Sequence, residues 1–136
     1  MSENKELEFK KLKICILTIS SSRELSDDKS GDTLEERVLS FGHKLFERKI
    51  TKDNKDSIKE IIINWSKNKE IDVIITSGGT GLTETDVTPE ALEEIFEKTI
   101  PGFSVIFHNI SFNKIKTSTI QSRVTAGILM ETFIFA

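Results

Sequence analysis

The sequence has no tyrosine, one cysteine, one tryptophan and two prolines among 136 residues. A lone cysteine, Cys15, cannot close an intrachain disulfide, so nothing indicates an oxidising compartment. It lies in an apolar run and reads as a small buried core residue. No apolar stretch approaches the ~20 residues of a membrane span. The charged opening MSENKELEFKKLK leads into an apolar run that is short and has no small-residue cleavage signal. The expectation is a cytoplasmic chain with no membrane partner. Neither sign of charge dominates: 19 basic against 22 acidic side chains give a net charge of -3. That balance argues against a dedicated nucleic-acid binder, which usually carries a basic face. No His/Cys group has zinc spacing, and no G-x-S-x-G elbow marks a serine hydrolase. Repeats, low-complexity tracts and interdomain linkers are missing too.

What is present fits one soluble domain: 37% apolar and 30% charged residues, in a length that can bury roughly two thirds of the unfolded surface. Residues 1–11 read as a flexible tail and residues 12–136 as the domain. LKICILTIS, 12–20, suits a strand buried on both faces. A polar loop follows over 21–31, and Asp32 or Thr33 is placed to cap a helix. Leu34, Val38 and Phe41 form that helix's apolar stripe and Gly42 stops it. KLFERKI, 44–50, reads as a second strand. Asp53 and Asp56 resemble a capping box before a helix that buries Ile58, Ile61, Ile62 and Trp65. IDVIITS, 71–77, is a third strand. A helix begins at Thr88-Pro89, Pro101-Gly102 breaks it, 103–112 suits another short helix, and 124–129 and 132–136 suit two more strands. This order predicts the α/β class, with a mostly parallel open sheet and helices on both faces.

Ser77-Gly78-Gly79-Thr80-Gly81 follows the third strand directly. Its glycines permit positive φ and close backbone approach, and successive amides there can form a concave anion site. The hydroxyls of Ser77, Thr80 and Thr83 add donors. Open α/β sheets bind ligands at the carboxyl ends of their strands, so a phosphate is the natural guest; a glycine-rich turn without a ligand is the alternative. The loop is neither G-x-G-x-x-G nor a P-loop. Beyond it, Asp86 either caps a helix or holds Mg²⁺ beside bound phosphates, an ion that usually takes one or two carboxylates plus substrate phosphate. Thr88 is the nearer N-cap, with Pro89 at N1, which leaves Asp86 without an evident structural task. Asp53 follows the second strand and emerges on the same edge, as a helix cap or as a second metal carboxylate. Asp27, Asp28, Ser30 and Asp32 share that edge, most of them as solvated charges. Arg123 pairs with phosphate or with a carboxylate. His43 follows a helix end, and His108 reads as packing.

TSGGTGLTETDVTPEAL at 76–92, IPGF at 100–103, QSRVTAG at 121–127 and ILTISSSRELSDDKSGDTLEERV at 16–38 together resemble the molybdenum-cofactor biosynthesis family that includes molybdopterin adenylyltransferase and the MoaB proteins. The resemblance runs from about residue 12 to the last residue. It implies a three-layer α/β/α fold assembled as homotrimers or hexamers. It also implies transfer of AMP from ATP to the terminal phosphate of molybdopterin, with Mg²⁺ and release of pyrophosphate. By position it puts Gly78, Gly79, Thr80 and Gly81 on substrate phosphate and makes Asp86 and Asp53 the catalytic, metal-binding aspartates. Ser122 and Arg123 match an S-R step near the pterin, and Ser30 a serine of the first loop.

The chain departs from the family pattern at four places. Ser21 stands where the family usually has Asp, Lys52 replaces a Pro, and Ser104-Val105 replace the Gly-Glu that MoaB-like proteins commonly carry. Where relatives continue into a P-G-[SN]-P type loop and a final helix, this sequence stops at Ala136. Ending on an apolar strand is expected to leave edge groups open or to need an oligomer contact. A non-catalytic molybdopterin-binding protein, or an inactive shortened relative, is therefore the alternative to the adenylyltransferase.

Overall fold

The computed structural model describes residues 7–136. Six strands form one sheet in the order β2-β1-β3-β6-β5-β4: β1 Lys13–Ile19, β2 Lys44–Thr51, β3 Val73–Ser77, β4 Lys98–Thr99, β5 Ala126–Leu129 and β6 Thr132–Phe135. β2, β1, β3 and β6 run parallel, while β5 lies antiparallel to β6 and β4 antiparallel to β5. The helices are α1 Lys29–Ser40, α2 Lys55–Ser66, α3 Thr88–Glu93 and α4 Pro101–Ile115. The sheet is mostly parallel, as the alternation of strand and helix patterns requires.

β1 is the central hydrophobic element. Every residue from Ile14 to Ile19 is buried, because this strand has a neighbour on each side and helices on both faces. Cys15, Leu17 and Ile19 face α2 and α3 and pack with Ile58, Ile62, Trp65, Ala91 and Leu92. Ile14 and Ile16 face α1 and pack with Val38. Burying one such side chain contributes about 1.5–3 kcal/mol, so α2, with Ile58, Ile62 and Trp65 inside, is held chiefly by its apolar stripe. Cys15 is fully buried; burial, with the nearby Glu47 carboxylate adding to it, pushes its thiol up to about 12. It is a core residue with no nucleophilic character at neutral pH.

Several local expectations are corrected. Residues 1–6 of the expected tail lie outside the described residues. Further along, Phe9 stacks on His43 with ring centroids 5.1 Å apart, and His43 accepts a hydrogen bond from the Leu12 amide. α1 begins three residues before Asp32, and its cap is Asp28, which accepts from the Gly31 amide. α2 is capped by Asn54, which accepts from the Ser57 amide, so Asp53 is released for another task. Thr88 is the first residue inside α3 and Val87 its N-cap. Pro101 does not merely break a helix: it opens α4, which runs to Ile115, past the expected end at residue 112. β6, where the sequence stops, is no sheet edge, for it pairs with β3 on one side and β5 on the other. Its ladder groups are satisfied. What it leaves open is a face, with Phe133 44% exposed.

Candidate functional site

The parallel ladders put the ends of β1, β2 and β3 on one edge of the sheet. Ser20-Ser21, Lys52-Asp53 and the glycine loop therefore emerge together. Because β5 runs antiparallel to β6, Ser122 and Arg123, just before it, reach the same edge. Ser30, in the first turn of α1, joins them through the loop that leaves β1.

The glycine loop is shaped by contacts that leave no room for side chains. Gly78 has φ +99, and a Cβ there would sit 2.2 Å from the Ile19 carbonyl oxygen. Gly79 has φ +72, and its Cβ would sit 2.2 Å from the Thr88 hydroxyl. Both positions demand glycine. Thr88 closes the loop: its amide donates to the Gly79 carbonyl at 3.1 Å and its hydroxyl to the Gly78 carbonyl at 2.9 Å. Thr88 is thus a loop fastener instead of the helix cap the sequence suggested. At Gly81 a Cβ would fall 2.7 Å from Asp86 Oδ2, so this glycine lets the aspartate approach.

Asp86 does have a structural task. Its Oδ2 accepts from the Thr83 amide at 3.0 Å and the Thr83 hydroxyl at 2.6 Å. These bonds, the hydroxyl's first, hold its carboxyl below the ordinary value, with the Gly81 amide and the Arg123 charge adding to them. Asp86 is therefore ionised and fixed beside the loop. Asp53 is fixed differently. Its Oδ2 accepts from the Ser21 hydroxyl at 2.8 Å and the Ser21 amide at 3.1 Å, and its own amide donates back to the Ser21 hydroxyl at 3.2 Å. Ser21, singled out in the sequence only as a departure, is the residue that orients Asp53.

Arg123 reaches carbonyls and a carboxylate on the segment that follows the glycines. Its Nε donates to the Gly81 carbonyl at 2.7 Å, and one terminal nitrogen donates to the Asp86 carbonyl at 2.7 Å. The other terminal nitrogen is paired with Glu90. Of the two partners the sequence allowed, phosphate or carboxylate, a carboxylate is the one in place. Sequence reasoning passed over Glu90; its place in the first turn of α3, four residues after Asp86, is the signal that was available. His108 lies between two carbonyls, Ser104 at 2.7 Å from Nδ1 and Ser122 at 2.9 Å from Nε2, and so sits between α4 and the segment carrying Arg123, donating to the carbonyl that faces its protonated nitrogen.

Among the described residues, the hydroxyls of Ser30, Ser77, Thr80 and Ser122 make no hydrogen bond within the chain. Leu82, Thr83, Glu84, Asp86, Val87, Glu90 and Arg123 line a cleft of about 400 Å³ alongside the loop. No group of three or more His, Cys, Asp or Glu side chains among the described residues is disposed to hold a metal. Asp86 and Asp53 each accept hydrogen bonds through Oδ2, and carboxylate oxygen is the donor type that a hard cation takes, one or two at a time beside substrate phosphate.

The acidic first loop also departs from expectation. Asp28 is fully buried, where a solvated charge was expected. Burial alone would raise its carboxyl, but bonds from Thr18, Gly31 and Arg48 bring it below the ordinary value. The Thr18 hydroxyl donates at 2.6 Å and Arg48 at 3.1 Å.

The profile of the family MoCF_biosynth, described as "Probable molybdopterin binding domain", matches residues 15–135. Among curated relatives, Molybdenum cofactor biosynthesis protein B of Escherichia coli (strain K12) is 40% identical over 129 residues, covering 95% of this chain and 76% of the relative. The "Probable molybdopterin adenylyltransferase" of Methanocaldococcus jannaschii is 37% identical over 135 residues, covering 94% and 80%. A crystal structure of a Molybdenum cofactor biosynthesis protein B superposes with a TM-score of 0.89 at 37% identity, over 93% of this chain and 79% of that one. The tungsten cofactor synthesizing protein MoaB from Pyrococcus furiosus gives a TM-score of 0.81 at 28% identity, over 94% and 82%. No helix among the described residues is long and apolar enough to cross a membrane.

Proposed function

Because the chain belongs to the MoCF_biosynth family of molybdenum-cofactor biosynthesis proteins, we propose that it binds molybdopterin and transfers AMP from ATP to its terminal phosphate. The observation that carries this reading is the pairing of a pre-bent glycine loop with an ionised Asp86, oriented by Thr83, at the carboxyl end of β3. The similarity to the M. jannaschii protein supports the reaction type. In this reading an oxygen of the molybdopterin phosphate bonds to the α-phosphorus of ATP. The bond from the α-phosphorus to the α,β-bridging oxygen breaks, and pyrophosphate leaves with that oxygen and the bonding electron pair. No protein nucleophile is needed, so the chain's contribution is placement and charge. Amides of the glycine loop and the hydroxyls of Ser77 and Thr80 hold phosphate oxygens, while the Thr83 hydroxyl, expected to join them, is committed to Asp86. Ser122 and Ser30, with unengaged hydroxyls on the same edge, bind the pterin and nucleotide. Asp86 and Asp53 hold Mg²⁺, which when bound offsets charge on the ATP phosphates. The chain works in the cytoplasm on small-molecule substrates, as a homotrimer or hexamer.

One observation favours a second reading, that of a molybdopterin binder without transfer. Both carboxylates assigned to the cation, Asp53 and Asp86, already accept hydrogen bonds through Oδ2. Pyrophosphate release separates the two. Purified protein given molybdopterin, ATP and Mg²⁺, with each omitted in turn, should release pyrophosphate only when all three are present. Release that ignores molybdopterin, or none from folded protein that still binds the pterin, would replace the transferase with the binder.

A further inference from the structure

The resemblance puts Arg123 among the ligand-binding residues, but its surroundings give it different work. A guanidinium has five N–H donors in a rigid planar fork and no acceptor. Here the three nitrogens reach the Gly81 carbonyl, the Asp86 carbonyl and the Glu90 carboxylate. The Arg123 amide adds a fourth bond, to the Thr80 carbonyl at 2.9 Å. All four acceptors lie in one stretch, from residue 80 to residue 90. In a trans peptide the N–H points opposite to the C=O. Drawing the carbonyls of Thr80, Gly81 and Asp86 toward Arg123 therefore turns the amides of Gly81, Leu82 and Val87 away from it. The Gly81 amide is one of the groups that stabilise the Asp86 carboxylate. The charge is also already matched, for Glu90 is the first cause of the raised Arg123 value, and Arg123 is the first cause of the lowered Glu90 value. An incoming phosphate would have to displace Glu90 to reach the guanidinium.

We propose that Arg123, anchored by Glu90, is a positioning residue. It fixes three peptide planes between residues 80 and 87, so that the Leu82 and Val87 amides and the Asp86 carboxylate, itself steadied by the Gly81 amide, are presented to a phosphate ligand that Arg123 itself does not touch. This deepens the proposed function and rests on it only for the ligand's identity, since the clasp can be read without substrate. Lysine cannot replace it, because an ammonium keeps the charge but not the fork.

The test is amide hydrogen exchange of the full-length protein without ligand, comparing wild type with Arg123→Lys and with Glu90→Gln. Magnesium pyrophosphate binding is measured by calorimetry alongside. In Arg123→Lys, amides of residues 78–88 should exchange faster by about 10-fold or more, the scale of one lost charge-assisted hydrogen bond. Amides of β1 and β3 should keep their protection. Glu90→Gln, which leaves both carbonyl bonds in place, should show the same pattern more weakly and bind pyrophosphate no more tightly than wild type. Unchanged loop exchange in Arg123→Lys would overturn the proposal, as would an equal loss across the core strands. So would tighter pyrophosphate binding by Glu90→Gln, the signature of an arginine freed to meet the anion. A failure of AMP transfer in the wild type leaves the exchange result intact, so the two readings fail separately.

Discussion

Two arginines in this chain each gather several partners at the edge of the sheet, and they live in different surroundings. Arg48, on β2, meets Asp28 at 3.1 Å, Asp32 at 2.8 Å and Glu35 at 3.0 Å. Its side chain is 14% exposed and that of Asp28 is not exposed at all. Arg123, by contrast, has a side chain 33% exposed and a carboxylate partner, Glu90, at 46%. The first knot fastens the loop after β1 from inside, joining Thr18, the α1 cap and β2. The second fastens the loop after β3 from an open, solvent-exposed cleft. A buried charge network is costly to break and slow to move, so it belongs under a scaffold. A solvated one is weaker and sits where a ligand can reach the groups it orients.

The comparison breaks most visibly at Asp28. Asp28→Ala leaves Thr18 and the Gly31 amide without an acceptor and Arg48 short of a buried partner. Unfolding in urea should show a loss of about 3 kcal/mol, while Glu90→Ala should lose less than about 1 kcal/mol. Equal losses would mean the two knots do not differ in kind.

Acid sharpens the same contrast. Asp28, Asp86 and Glu90 all have folded-state values below their ordinary ones. The stability they contribute is therefore complete above about pH 4–4.5, the ordinary carboxylate range, and is lost as pH falls through the lowered values. Melting curves from pH 7 to pH 2.5 should flatten strongly in Asp28→Asn and only slightly in Asp86→Asn. A modest effect of opposite sign is expected outside both knots. Lys116, just after α4, has φ 59 and ψ -134, a conformation that favours glycine. Lys116→Gly should gain about 1 kcal/mol in the same urea titration without altering ligand binding; a loss would show that the lysine is not strained there.

The legible parts of this molecule were those governed by local pattern. β1, β3, α2 and the glycine loop follow from β-branched runs, an apolar stripe and three glycines in four positions. Asp53 and Asp86 were expected on one edge of the sheet for that reason, and parallel pairing brings the strand ends that precede them to one edge. The illegible parts depend on residues far apart in the chain. Asp28 reads as one acid among several until Arg48, twenty positions on, draws it inside. Ser21 is an anonymous loop serine until parallel pairing brings Asp53 beside it. Arg123 could not be assigned a partner from spacing, because Glu90 lies 33 residues away. The position of β6 is a matter of topology: ending on an apolar strand suggested open edge groups, and the pairing puts β6 between β3 and β5.

The central claim is that Asp86, held ionised by Thr83, serves the transfer of AMP beyond its local task of shaping the loop. It is tested most directly by measuring pyrophosphate release from molybdopterin, ATP and Mg²⁺ in Asp86→Asn beside wild type, with the melting temperature of each. The account predicts turnover lower by about 100-fold, with a melting temperature close to wild type. Unchanged turnover in a folded Asp86→Asn protein would contradict it.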